Sequence, residues 1–155
     1  MDSSFHIRWR AAWTGGVATL MALLALGTTR HAHAAGQAPG TVLDGVYSEA
    51  QAKRGEMLYA DTCGICHGDT PIGTTVAPTL IGGDFLADFG GMSVGDLFSK
   101  VLKTMPADDP GTLTPAQAAD ALAFIFSQNK WPAGQNDLST DMAALKQIRI
   151  LTKAP

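Results

Sequence analysis

Apolar positions recur at helical spacing in three stretches of this chain, and local punctuation marks each one. Val94, Leu97, Phe98, Val101 and Leu102 fall on one helical face. Ser93 precedes them and Asp96 follows three residues later, the order of a capping box. Met105-Pro106 ends the run, because proline holds the residue before it in extended backbone. A second face contains Ala118, Ala121, Leu122, Ile125 and Phe126. Thr114, Pro115 at the first helical position and Gln117 at the third mark its start, and the predicted helix runs over 114–128. The third stretch, Ala52, Gly55, Leu58, Tyr59 and Thr62, follows Ser48 and Gln51 and predicts a helix over about 49–61. Gly55 costs that helix about 1 kcal/mol relative to alanine. Either it is simply tolerated or it admits a close crossing against the small residues near Ala121.

Between these stretches, residues 68–92 are rich in Gly, Pro and Thr and read as one long loop. A structureless loop of that length is unusual and needs a template to wrap. Asp108-Asp109-Pro110-Gly111 reads as a turn, and a short terminal clasp helix is expected over about 140–148. No internal repeat and no alternating strand pattern occurs. The expected fold is therefore mostly α.

The first residues follow a different rule. Arg8 and Arg10 precede an apolar run from Val17 to Leu26, and Ala32-His33-Ala34 follows. Basic, apolar and small residues in that order are those of a secretory signal peptide, with cleavage expected after Ala34. The run is short for a membrane span, although a retained anchor facing the periplasm is the alternative. The expected organisation is a signal at 1–34, a flexible leader at 35–46, one domain at 47–131, and an extension with a short helix at 132–155. Without residues 1–34 the chain keeps eight Lys plus Arg against thirteen Asp plus Glu, a formal charge of −5. An acidic balance gives no general support to nucleic-acid binding and leaves docking on a basic protein surface open.

Signal removal also isolates the chemistry. Of four histidines only His67 remains, beside the only two cysteines, Cys63 and Cys66. Cys63-Gly64-Ile65-Cys66-His67 is the C-x-x-C-H signal for c-type haem attachment. Two sulfurs at that spacing reach the two haem vinyl groups, and the next residue presents imidazole to the iron. A disulfide, a thioredoxin-like dithiol and a zinc site are the other readings of these residues. The dithiol usually lies between a strand and a helix, and a closed zinc site wants a second Cys/His pair. A second axial ligand must come from Met57, Met92, Met105 or Met142. Met105, held extended before Pro106, is favoured, with Met92 its rival and Met57 read as core. The backbone carbonyl near Pro78 is positioned to accept the second ring proton of His67. Leu80, Ile81, Phe85, Leu86 and Phe89 are candidates for an apolar wall.

With these motifs in view, residues 47–131 resemble the class I cytochrome c family. The resemblance rests on the 63–67 motif, Gly55 and Tyr59, Pro78-x-Leu80, Met105-Pro106 and the 114–128 helix. It implies a small helical domain wrapped around one covalent haem c, with Cys63, Cys66, His67, Pro78, Leu80 and Met105 at the cofactor and His67 and Met105 on iron. Met105 to Gly111 and Asn129-Lys130-Trp131-Pro132-Ala133-Gly134 further resemble bacterial mono-haem cytochromes associated with periplasmic quinoprotein dehydrogenases. Phe89 stands where many of these carry Trp. That likeness implies a periplasmic one-electron carrier, not an enzyme, with no small-molecule substrate. Its partners would be a dehydrogenase and a respiratory oxidase or intermediate cytochrome. The alternatives are a fixed subunit of a dehydrogenase complex and a gas-binding or catalytic haem protein.

Overall fold

The computed structural model describes residues 40–152. The expected signal, its cleavage after Ala34 and leader residues 35–39 lie outside the described residues. Six helices follow in order: α1 (Glu49–Thr62), α2 (Gly64–His67), α3 (Gly82–Phe89), α4 (Val94–Thr104), α5 (Pro115–Gln128) and α6 (Met142–Leu145). None of these is long and apolar enough to cross a membrane.

The three expected helices form close to their expected bounds. Both boxes at Ser93/Asp96 and Thr114/Gln117 close in both directions. The pair at Ser48 closes only halfway. Ser48 accepts from Gln51 N–H, but the Gln51 carboxamide is buried and turns to the Leu138 backbone, accepting at 2.6 Å and donating at 3.3 Å. A local cap gives way here to a tertiary contact that satisfies a buried amide.

α1 packs chiefly on α5, and Gly55 is the point of closest approach. A Cβ at Gly55 would run into the Asp120 carbonyl oxygen and stand 3.0 Å from Phe124 Cβ. The crossing thus falls beside Ala121, in the stretch where it was expected. Arg54 fastens its exposed side to Asp120 and Asp137.

Three expectations are corrected. The stretch 68–92 is not one loop, since α3 occupies Gly82–Phe89. Its Phe85, Leu86 and Phe89 keep helical spacing, which flanking glycines mask in composition; Phe85 and Leu86 are buried. Residues 40–46 are not a free leader, because Val42 and Val46 enter the core. The terminal helix is four residues long, capped by Asp141. After it the chain runs extended. Arg149 N–H reaches Gly40 O, Val94 N–H reaches Ile148 O and Ile150 N–H reaches Met92 O, at 2.8 to 2.9 Å. The tail therefore ties the 40–46 segment to the corner between α3 and α4.

Candidate haem-attachment site

The site begins where α1 ends. Cys63 caps α1, its N–H donating to Tyr59 O at 2.8 Å, and the chain continues at once into α2. Cys63 and Cys66 are unpaired thiols. Burial, with Cys66 nearby, pushes the Cys63 thiol up to about 11. Beneath them Tyr59 is buried, stacks at 4.9 Å on Phe124 and donates to Gly68 O at 2.9 Å. Burial first, then the Cys63 and Asp69 charges, push its phenol up to about 12, so it stays a donor.

His67 is 8% exposed, and its Nδ1 lies 2.8 Å from Pro78 O. A carbonyl can only accept, so Nδ1 carries the proton and Nε2 keeps a free lone pair in the neutral ring. The loop that brings Pro78 there is folded on the motif. Gly73 N–H donates to His67 O at 3.0 Å and Thr74 Oγ1 to Cys66 O at 2.5 Å. Gly73 has φ 83°, and a Cβ would sit 2.5 Å from Thr79 N, so only glycine suits the turn. Asn129, at the end of α5, donates to Leu80 O at 3.0 Å and accepts from Gly82 N–H at 3.0 Å.

These elements enclose a cavity of about 580 Å³. Cys63, Cys66, His67, Pro78, Leu80 and Met105 all line it. Met92 lines it too, so both candidate thioethers face one space. Met105 has extended backbone (φ −122°, ψ 148°), as its proline neighbour requires. Met57 is 59% exposed on α1, which corrects its reading as core. Further walls come from Phe85, Leu97, Val101, Leu113, Leu122 and Ile125. Helical periodicity had already put Leu97, Val101, Leu122 and Ile125 on inward faces, whereas Leu113 stands alone in a turn with no pattern to mark it. Asp88 and Lys100 also reach the cavity and had not been singled out in the sequence, and Asp108, read there as a turn residue, reaches it too. Among the described residues no three His, Cys, Asp or Glu side chains converge as a metal-holding group.

The donors suit the group that the motif implies. Two thiols one helical turn apart, an oriented imidazole and an apolar chamber with a thioether on its wall fit a flat, covalently held cofactor. The chain is thus a small, mostly α-helical redox domain with a potential haem c attachment site. Residues 50–125 match the family model described as cytochrome C oxidase, cbb3-type, subunit III, and over that range the chain is similar to this subunit. Among solved structures, the chain is similar to the sulfane dehydrogenase SoxCD from Paracoccus pantotrophus, with 22% identity and a TM-score of 0.46, over 80% of this chain and 68% of that one. Among curated proteins none matches.

Proposed function

We propose that this chain is an exported, class I cytochrome c-like one-electron carrier. Cys63 and Cys66 would hold a single haem c by thioethers, and His67 and Met105 would be its axial ligands. The observation that carries this reading is the 2.8 Å His67–Pro78 bond on the wall that the two cysteines and Met105 share. When bound, the haem would supply a ferric/ferrous couple, and methionine ligation would raise its potential. The chain's own residues do the rest. Pro78 O fixes the ring tautomer and leaves the Nε2 lone pair free to ligate. Pro106 limits the backbone freedom of Met105, and the apolar walls keep water from most of the chamber. Such a site needs no substrate pocket, only a brief contact with redox partners. The donor would be a periplasmic dehydrogenase, of the quinoprotein kind by the resemblance above, and the acceptor a respiratory oxidase or intermediate cytochrome.

Absorption spectra of the ferric and ferrous holoprotein, with and without carbon monoxide, test this. The expected result is a low-spin spectrum with the weak methionine–iron band, no prompt gas binding, and loss of the band in Met105→Ala. A high-spin spectrum with rapid carbon monoxide binding would replace the carrier with a gas-binding or catalytic haem protein. Loss of the band in Met92→Ala instead would move the ligand to Met92.

The match to an oxidase subunit favours a second reading, a cytochrome held permanently in a respiratory complex. Co-purification in constant ratio under high salt would identify that form. A freely eluting monomer would identify the diffusing carrier.

A further inference from the structure

The acidic side chains divide by what they do. Asp44, Asp96 and Asp141 accept from backbone N–H groups at a turn or a helix start. Asp120 and Asp137 hold Arg54, and Glu56 holds Lys53. Glu49, Asp61, Asp69, Asp84, Asp88, Asp108 and Asp109 are exposed and take no part in the ion pairs among the described residues. All of these but Glu49 stand on the cavity lining or within two positions of it in sequence. Asp88 and Asp108 line it, Asp61, Asp84 and Asp109 adjoin its lining residues Thr62, Phe85 and Asp108, and Asp69 follows His67 by two positions. From residue 55 to residue 99 the chain carries six acidic residues and no lysine or arginine. Lys100 is the one lysine or arginine on the cavity wall among the described residues.

Three large aliphatic side chains stand in water at the same place. Ile65 is 85% exposed, Val76 76% and Ile72 65%. Ile65 lies between the two cysteines, and Val76 also lines the cavity. The Gly73–His67 and Thr74–Cys66 bonds hold the loop bearing Ile72 and Val76 against that turn. Side chains of this size grouped in solvent make a contact surface.

We propose that this surface docks a protein partner whose apolar centre is ringed by lysine and arginine, and that the electron passes across it. The proposal rests on the carrier reading above. Apolar side chains about the cofactor allow close approach, while unpaired carboxylates around them steer a cationic face and repel an anionic one.

The reduced holoprotein is mixed rapidly with tris(phenanthroline)cobalt(III), an apolar trication, or with hexacyanoferrate(III), a trianion, over a range of ionic strength. Each probe takes one electron from the ferrous protein. The cobalt rate should fall with salt and the hexacyanoferrate rate should rise. The acidic chain as a whole would contribute to that trend, so local and remote neutralisation are compared. Asp69→Asn/Asp88→Asn should lower the cobalt rate at low salt about threefold or more. Glu49→Gln/Asp137→Asn should change it far less, since Glu49 and Ser48, the partner of Asp137, lie about 18 Å or more along α1 from Asp61. Ile72→Ser should slow the cobalt reaction without altering its salt dependence. Reduction potentials measured for every variant separate docking from driving force. Equal responses to the two double substitutions, at matched potential, would overturn the docking proposal and leave the carrier standing. A chain that takes up no haem, or whose haem binds carbon monoxide at once, would overturn the carrier and the docking surface with it.

Discussion

The α1–α5 crossing and the stretch from Cys63 to Leu80 meet at the end of α1, yet different forces hold them. At the crossing the backbones meet over Gly55, Tyr59 stacks on Phe124, and Arg54 bridges Asp120 and Asp137 outside. Close packing does most of the work there. The 63–80 stretch leaves Ile65, Ile72 and Val76 in water and hangs on hydrogen bonds instead. Gly73 and Thr74 bind carbonyls of the motif, Leu80 N–H reaches Pro71 O at 2.8 Å, and Asn129 holds the far end. The contrast separates a scaffold that needs only its own side chains from a wall whose apolar face looks into a chamber. Local stability should follow the same division.

The largest effect should come from the crossing. Gly55→Val puts side-chain carbon against the Asp120 backbone, where no rotamer relieves it, and should cost about 3 kcal/mol or more. A urea midpoint unchanged from the parent would show that the helices separate cheaply, and the contrast would fail. Asn129→Ala should come next, at about 1–3 kcal/mol, by stripping partners from Leu80 O and Gly82 N–H. Hydrogen exchange should then quicken over 71–82 and stay slow in α1. Equal quickening in both would show one cooperative unit rather than two.

Tyr59→Phe probes the seam between the regions. It keeps the ring on Phe124 and removes the bond to Gly68 O, a loss of about 1 kcal/mol. Its exchange signature should appear at the motif and not at the crossing. The smallest effect concerns pH. Hydrogen bonds from Ser48 and then Arg54 hold the Asp137 carboxyl below its ordinary value. A carboxylate with a lowered folded pKa contributes stability above its unfolded value of about 3.9 and loses it as pH falls through the folded one. Asp137→Asn should therefore flatten part of the acid limb of the stability curve and leave the neutral-to-alkaline limb unchanged. An acid limb identical to the parent's would remove Asp137 from the crossing's fastening.

What the chain announces locally could be read without coordinates. Ser93 with Asp96 and Thr114 with Pro115 and Gln117 are contacts within one turn, so sequence spacing is spatial spacing. The five-residue cysteine–histidine motif is legible for the same reason, as is the proline that holds Met105 extended. The contacts that only tertiary structure decided join residues far apart in sequence. Gln51 leaves its cap for Leu138, Asn129 reaches back to Leu80 and Gly82, and residues 148–150 pair with both Gly40 and the corner before α4. α3 was hidden because glycine-rich flanks lower helix propensity, while Phe85 and Leu86 gain from burial that propensity does not contain. The unpaired acids around the cavity were hidden too. Charge is visible in sequence, but whether a carboxylate is already engaged depends on which side chains folding brings beside it.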